Sequence, residues 1–311
     1  MSAPTRPHAL YCLALDEAAA VTHTALRTRG IDSILLKGAG LAHRLGNERS
    51  RTYTDVDLLV APATFDAAQE VLLDLGYRPE MPGAREEDWS HWYERLWRTP
   101  GPVSLAVDLH RGFHGVGDPE AFWAALRAAA ESMPLAGHSV LVPDRIAATM
   151  LVALHVATTA RSPRPLADLE RALTVTPEET WRSAADLAER TAAATDFAFG
   201  LRRLAAGAAL ADRLRLPSGS SAVHHVIHGG GSPAAYLLAR AGELPTTRAR
   251  IDYLARRLAP SPAAMRYARP LARRGGVGLA LAYLFRFVRA CWQVPRAIPQ
   301  VRRAERRSVD G

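Results

Sequence analysis

The chain has 311 residues, 48% of them apolar, and only two cysteines, which excludes a disordered chain and a small disulfide-stapled scaffold. Its formal charge of +8 favours an anionic partner such as a nucleotide, a nucleic acid, an acidic peptide or a membrane surface. No secretory signal is visible, and the longest uncharged apolar run, 275–285, is too short to span a membrane and is closed by Arg286 and Arg289. We therefore expect a cytoplasmic protein without a membrane span.

The first 110 residues alternate between helical and extended patterns. Apolar spacing and glycine or proline stops predict helices over 8–29, 39–45 and 62–76, and strands over 31–36, 54–60 and 103–109. The segment 80–100 is polar, charged and aromatic, and carries no predicted strand. This mixture indicates a small α/β region in which turns follow the strands.

Beyond Pro119 the pattern is almost entirely helical. Helices are predicted over 119–132, 143–160, 166–173, 177–194, 195–213, 220–228, 233–241, 246–259 and 277–292. We place a boundary near Pro143, with an α/β domain over 1–142 and a helical domain over 143–311. The expected fold class is therefore α+β, a small mixed-sheet domain followed by an all-α domain.

Two carboxylates stand one residue apart in the second predicted strand. Because side chains alternate faces in a strand, Asp55 and Asp57 project together while Val56, Leu58 and Val60 take the other face. Two like charges held this close favour a cation between them. Mg²⁺ prefers carboxylate oxygens and leaves room for phosphates, so the pair indicates a metal site for phosphate chemistry.

Three other residues strengthen this interpretation. Alternation in the strand 103–109 places Asp108 and His110 on one face, and a neighbouring strand could bring Asp108 to the acid pair. Lys37 is the only lysine among 39 basic residues and stands directly before Gly38, where its ammonium can meet a phosphate as a point charge. The sequence therefore predicts phosphate-binding groups beside a metal site.

These residues carry a resemblance to a known family. The runs 35–39, 51–60, 75–77 and 107–110 resemble the largely uncharacterised nucleotidyltransferase family of the DNA polymerase β-like superfamily, and 154–169 and 258–262 are similar to its helical half. The resemblance implies a small mixed sheet with a turn glycine at Gly38. The implied ligands of two Mg²⁺ ions are Asp55, Asp57 and Asp108. One departure is Ala39, where the wider superfamily usually has serine.

The resemblance also implies a reaction. A nucleoside monophosphate, expected to be AMP, would pass from a nucleoside triphosphate to a hydroxyl of a small molecule, peptide or protein, a natural-product peptide among them. Lys37 and Arg51 are the expected clamps for the triphosphate, and His110 would position phosphate or acceptor. For two of these residues simpler roles stay open, since Arg51 could cap a helix and His110 could be solvated.

Three alternatives remain at this stage. The same metal site could transfer a phosphoryl group to a peptide, as in a kinase. A non-catalytic module could bind a nucleotide or a partner, although the intact acids argue against lost activity. The arginines between 248 and 307 could bind nucleic acid, but aromatic side chains are not interleaved with them as a stacking platform requires, so nucleic acid is not the expected partner.

Overall fold

The computed structural model describes residues 6–48, 51–89, 91–159 and 162–310. The chain divides into two compact units, one of Met1–Glu80, Tyr93–Ala157 and Ser162–Pro217 and one of Met81–Trp92, Thr158–Arg161 and Ser218–Gly311. The two-domain division near Pro143 stays a prediction. The compact units have other boundaries than this division, because the helices between 145 and 213 share a hydrophobic core with the sheet.

The first unit contains every strand of the described chain. These are β1 (Ser33–Leu35), β2 (Asp55–Val60), β3 (Arg78–Pro79), β4 (Glu94–Arg98), β5 (Ala106–His110), β6 (Glu131–Leu135) and β7 (His138–Val142). Its helices are α1 (Arg6–Thr28), α2 (Ala39–Leu45), α3 (Phe65–Asp74), α4 (Pro119–Ala129), α5 (Arg145–Thr158), α6 (Pro163–Val175), α7 (Glu178–Arg190), α8 (Ala194–Leu201) and α9 (Ala205–Arg213).

Five strands form a mixed sheet in the order β1-β2-β5-β4-β3, and β6 and β7 form a separate hairpin. Strands β2 and β5 run parallel, whereas the other neighbours in the sheet are antiparallel. The parallel register pairs Asp57 with Asp108. This mixed sheet with its many helices confirms the predicted α+β class.

Each face of the sheet is covered by its own apolar cluster. On one face Val56, Leu58 and Val60 are at most 2% exposed and pack in a cluster that includes residues of α1 and α3. On the other, Leu59 joins a cluster formed with residues of α2, α4 and α5 to α9. A fully buried leucine or phenylalanine contributes roughly 1.5–3 kcal/mol, so both faces hold β2 in place.

The structure differs from the predictions at several elements. Strand β4 lies in the segment 80–100, for which no strand was predicted. It was missed because charged residues occupy both of its faces and hide the alternation of polar and apolar residues. The hairpin of β6 and β7 was also missed. The predicted helix 195–213 is two helices, α8 and α9. A Cβ atom at Gly207 in α9 would lie 2.2 Å from the carbonyl oxygen of Leu201, the last residue of α8, so glycine permits this close approach.

The second unit is helical. Its helices are α10 (Ala222–His228), α11 (Pro233–Gly242), α12 (Thr247–Leu258), α13 (Pro262–Ala268) and α14 (Gly275–Asp310). Residues of α10, α11 and α14 form one apolar cluster, and Met265, Ala272 and Ala282 form another. Helix α14 is much longer than the predicted 277–292, because it continues through Pro295 and Pro299, which ordinarily end a helix.

The length of α14 bears on the expected absence of a membrane span. Among the described helices, the stretch Gly275–Ser308 of α14 alone is long and apolar enough to cross a membrane, and 11% of its apolar window is buried. A single helix that meets a criterion of length and composition is weak evidence for a span. The absence of a span therefore stays a prediction.

Candidate active site

The parallel pairing of β2 and β5 brings the predicted acids to one face of the sheet. Asp57 lies opposite Asp108 in the register, and Asp55 shares their face because it is two residues before Asp57 in the strand. The next antiparallel strand adds Glu94, which pairs with His110. The sheet thus gathers four carboxylates and one imidazole on the face that the sequence assigned to phosphate chemistry.

Asp57 is the centre of this group. Its carboxylate is 3% exposed, and its Oδ1 accepts a hydrogen bond from Lys37 Nζ at 2.7 Å and lies 3.1 Å from His110 Nε2. Burial alone would raise the pKa of Asp57, but the positive charge of Lys37 and the contact with His110 hold this pKa well below its ordinary value. Asp57 is therefore ionised at neutral pH.

The other two predicted acids behave differently. Burial raises the pKa of Asp55, and the nearby charge of Asp57 adds to the effect. Burial likewise raises the pKa of Asp108 to about 7, with His110 opposing and the carboxylates of Asp57 and Glu94 adding to the rise. Both pKa values are therefore raised mainly because the carboxyl groups are buried, and the neighbouring carboxylates add to this effect.

The sequence analysis did not include Glu94. Its Oε2 lies 3.7 Å from His110 Nδ1, on the side of the ring opposite Asp57, and the Tyr93 ring stacks on His110 with centroids 6.3 Å apart. Burial alone would lower the pKa of His110, but Asp57 and Glu94 raise it. The signal that could have revealed this strand is the alternation of Glu94, Leu96 and Arg98 with Arg95 and Trp97. This signal was weak because both sets contain charged residues.

The turn after β1 carries the predicted Lys-Gly pair. Gly38 has φ +63°, a conformation that favours glycine, and it precedes the first residue of α2. Lys37 turns its side chain to Asp57 and lies 5.4 Å from the ring centre of Phe113. Burial alone would lower the pKa of Lys37, but the Asp57 carboxylate raises it, so the ammonium stays charged.

Arg51 lies beside the same turn. Its Nε and Nη2 donate to the carboxylate of Asp168 in α6 at 3.1–3.3 Å, and its Nη1 donates to the carbonyl oxygen of Gly38 at 3.0 Å. Both charged side chains are 10% exposed. Arg51 therefore holds the turn through Gly38, and a direct role of Arg51 on a triphosphate stays a prediction.

His155 in α5 is a further titratable group near these charges. Burial lowers the pKa of His155 to about 3, and the positive charges of Lys37 and Arg51 add to the effect, while Asp57 opposes it. The imidazole is therefore neutral at physiological pH. The sequence had placed His155 among residues similar to the family's helical half and had assigned it no chemistry.

The donor set fits a divalent cation. One ligand atom from each of Asp57, Asp108 and His110 lies within 4.8 Å of the other two. Carboxylate oxygens suit Mg²⁺, and a cation beside Asp55 and Asp108 would favour their ionised forms, which burial disfavours. His110 thus lies within the candidate cluster, while metal-ligand roles for Asp55, Asp57 and Asp108 stay predictions.

Comparison with known proteins gives one strong match. The model of a family described as uncharacterised nucleotidyltransferase matches residues 9–206, nearly two thirds of the chain, including the whole five-stranded sheet. No curated protein matches the sequence.

Similarity to solved structures is weaker. The solution structure of the antibiotic-resistance factor ANT(2'')-Ia is 15% identical, covers 58% of this chain and 93% of its own, and gives a TM-score of 0.40. A crystal structure of ANT(2'')-Ia in complex with adenylyl-2''-tobramycin is 15% identical, with 56% and 98% coverage and a TM-score of 0.38. An antigenic nucleotidyltransferase-like protein from Paracoccidioides brasiliensis is 16% identical, with 57% and 88% coverage and a TM-score of 0.35. These values are too low to transfer a substrate.

Proposed function

Because the chain belongs to the uncharacterised nucleotidyltransferase family, we propose that it transfers a nucleoside monophosphate, expected to be AMP, from a nucleoside triphosphate to a hydroxyl of an acceptor. The observation that carries the proposal is the parallel register that sets Asp57 beside Asp108, with Asp55 on the same face. Three carboxylates beside a buried lysine suit the binding of metal ions and phosphates.

Asp55, Asp57 and Asp108 hold two Mg²⁺ ions in this proposal, with His110 beside them. When bound, such ions neutralise charge on the phosphates and lower the pKa of the acceptor hydroxyl. Asp57 is suited to this role because it is ionised and buried, so its charge is little screened by water. Glu94 places a negative charge 3.7 Å from the other ring nitrogen of His110, Nδ1.

The transfer is an in-line displacement. The acceptor oxygen attacks the α-phosphorus, the bond from that phosphorus to the bridging oxygen breaks, and pyrophosphate leaves with the electron pair. Asp108 accepts the proton of the acceptor hydroxyl, since it is the acid next to Asp57 across the parallel strands. The protein therefore contributes positioning, charge and a proton acceptor.

The turn of Lys37 and Gly38 binds the triphosphate. Lys37, whose ammonium contacts Asp57, would act as a point charge on a phosphate oxygen. Gly38 keeps the turn open, and Arg51 fixes that turn through the Gly38 carbonyl and presents its remaining N–H groups to the phosphates. His110, next to Asp57, helps to position the phosphate or the acceptor.

The acceptor is proposed by class. A small molecule, a peptide or a protein with a hydroxyl fits the reaction, and a natural-product peptide is one candidate. Nucleic acid is not the proposed acceptor, and a cytoplasmic location is proposed because the reaction uses intracellular nucleoside triphosphates.

A labelling experiment tests the proposal. The purified protein is incubated with Mg²⁺ and ATP labelled at the α- or the γ-phosphate, alone and with cell extract. Asp57→Asn is the test variant, and Asp74→Asn, at an acid that is 60% exposed and belongs to an ion pair with Arg29, is the matched control. We expect α-label to reach an acceptor with the wild type and Asp74→Asn, and to be lost by at least 10³-fold with Asp57→Asn.

Two other results would contradict nucleotidyl transfer. Movement of the γ-label alone would make the protein a kinase. Neither transfer nor Mg²⁺-dependent binding of any nucleoside triphosphate, with a thermal unfolding curve that shows a folded protein, would make it a non-catalytic module.

A further inference from the structure

The basic charge of the chain is concentrated in the second unit. Residues 218–311 contain sixteen arginines and four acidic residues, a formal charge of +12, whereas the whole chain carries +8. The preceding residues therefore carry a net negative charge. A strongly positive C-terminal segment attached to an acidic catalytic unit points to a second, anionic partner distinct from the nucleotide.

Helix α14 presents apolar side chains to solvent along one stripe. The spacing of three or four residues keeps them on one face of the helix, and the exposed fractions of their side chains lie between 41% and 77%. The stripe consists of Val277, Leu281, Leu284, Phe285, Val288 and Trp292. A continuous exposed apolar surface of this kind is uncommon on a soluble protein and marks a site of interaction.

The opposite side of α14 is already packed. Ala282, Ala297, Val301 and Ala304 are at most 9% exposed and belong to the two apolar clusters of the second unit. Within the span of the stripe, Leu279 and Tyr283 pack against the same cluster as Ala282, and at 100° per residue these three positions lie away from the middle of the stripe. The helix is therefore anchored by one face while its other apolar face stays open to solvent.

Three arginines line a cavity together with apolar residues of the stripe. The cavity has a volume of about 600 Å³ and is lined by Phe285, Val288 and Trp292 and by Arg269, Arg286 and Arg289, and no acid belongs to its lining. Burial lowers the pKa of Arg286, and the charges of nearby arginines add to the effect. This crowding of like charges would be relieved by an anion.

The geometry points to an anionic membrane surface as the partner of α14. In this proposal the helix lies parallel to the bilayer, with the stripe in the region between headgroups and acyl chains and the arginines on lipid phosphates. A helix with Trp, Phe and Leu on one face and arginines beside them has the composition of interfacial helices. The 600 Å³ cavity provides room for a lipid headgroup beside Arg286 and Arg289.

Other partners fit these observations less well. A second copy of the chain would bring two +12 segments together, which costs electrostatic energy. Nucleic acid would satisfy the arginines but would leave the apolar stripe in water, since phosphates offer it no contact. A folded acidic protein would need a concave surface to follow a stripe that covers about four turns of a helix, whereas a lipid surface adapts to it.

Vesicle sedimentation tests the proposal. The full chain is mixed with phosphatidylcholine vesicles with or without 30% phosphatidylglycerol. We expect at least tenfold tighter binding to the anionic vesicles and weaker binding as salt rises. The double variant Phe285→Asp and Val288→Asp should reduce this binding at least tenfold. The control Ile251→Asp changes an exposed apolar residue of α12 in the same unit and should bind like the wild type.

A third variant separates the contribution of charge. Arg289→Gln leaves the stripe intact and should weaken binding to anionic vesicles about fivefold, while leaving the weak binding to pure phosphatidylcholine unchanged. Circular dichroism and the labelling assay on each variant establish that it remains folded and active, so that loss of membrane binding is distinguishable from loss of the catalytic unit.

Five results would overturn the proposal. The first is equal binding of the wild type and the Phe285/Val288 variant to anionic vesicles, and the second is no vesicle binding by a folded wild type. The third is retention in membranes after extraction at high salt and alkaline pH, which would show a spanning helix. The fourth is a dimer that the double variant dissociates while vesicle binding is absent. Salt-sensitive RNA binding with no vesicle binding would assign the arginines to nucleic acid and would equally contradict the membrane proposal.

Discussion

Arg51 and Asp168, which are 117 residues apart, form a two-pronged ion pair that joins α6 to the turn between β1 and α2. The same guanidinium donates to the carbonyl oxygen of Gly38, one residue after the lysine that contacts Asp57. The helical residues after 145 thus contribute to the geometry of the turn that we propose to bind phosphate. In that proposal the carboxylate of Asp168 is a positioning group, since it reaches the turn only through Arg51.

Loss of the Asp168 charge should weaken both the fold and nucleotide binding. We expect Asp168→Asn to lower the free energy of unfolding by about 2–3 kcal/mol, because a 10% exposed guanidinium would lose its counter-charge. Urea unfolding measures this change. The affinity for the nucleoside triphosphate should fall several-fold as the Gly38 turn loosens, while the binding of Mg²⁺ alone is retained.

The matched control for Asp168 is Asp74→Asn. Asp74 pairs with Arg29, and both side chains are about 60% exposed, so this pair contributes under about 1 kcal/mol. Equal destabilisation by the two variants would contradict a positioning role for Asp168.

Glu94 should matter for the reaction although it was absent from the predicted site. Glu94→Gln removes the charge 3.7 Å from His110 Nδ1. We expect kcat to fall about tenfold, as it does when a residue that supports a metal-binding side chain is replaced. Steady-state kinetics with labelled ATP measures kcat and KM separately. Glu70→Gln in α3 is the exposed control, and a Glu94 variant with the kinetics of that control would remove Glu94 from the site.

Gly200 in α8 should not tolerate a side chain. A Cβ atom there would lie 2.0 Å from the backbone oxygen of Ala153 in α5, so Gly200→Ala must push the two helices apart. We expect destabilisation by about 2 kcal/mol in urea unfolding. Gly242→Ala is the control because no atom lies within 4 Å of its Cβ position, and it should be neutral or slightly stabilising. Similar effects of both substitutions would contradict the close approach of α5 and α8.

His23 should make the fold sensitive to acid. Its ring is 3% exposed, and its Nδ1 lies 2.8 Å from Ser33 Oγ. Burial lowers the pKa of His23 below 6.5, and Arg27 adds to the effect. The unfolded chain therefore binds this proton more tightly than the folded one, so stability is complete above about pH 6.5 and falls as the pH drops below it, by at most about 1.4 kcal/mol per pH unit.

The variant His23→Gln isolates this contribution. It keeps a hydrogen-bonding group for Ser33 but cannot take up a proton, so its free energy of unfolding should change less between pH 7 and pH 5 than that of the wild type. Urea unfolding at several pH values measures the difference. Identical pH profiles for the two proteins would contradict the prediction.

The acid-bearing strands could be predicted from the sequence because their apolar residues are regular. Val56, Leu58 and Val60 alternate with the acids of β2, and Val107 and Leu109 do the same in β5, and all five are buried as expected. A buried apolar face fixes which side chains point the other way, and this fixed the positions of the acids.

The remaining parts of the site depend on contacts that leave no local pattern. Arg95 is 5% exposed in β4 and lies over the Phe65 ring, so the strand reads as polar although it is internal. The pairing of Arg51 with Asp168 needs the packing of α6, which no spacing along the chain indicates. The sequence therefore predicted the acids and the lysine, but neither Glu94 nor the partner of Arg51.

The parallel register of β2 and β5 constrains how the length of this chain can change in evolution. A shift of one residue would place Asp57 opposite a residue of the buried face, and every side chain of one strand would move to the wrong side of the sheet. Insertions and deletions between these strands are therefore tolerated only where a loop absorbs them, as in 99–105. Natural variants should keep the lengths of β2, β4 and β5 constant and vary in that loop.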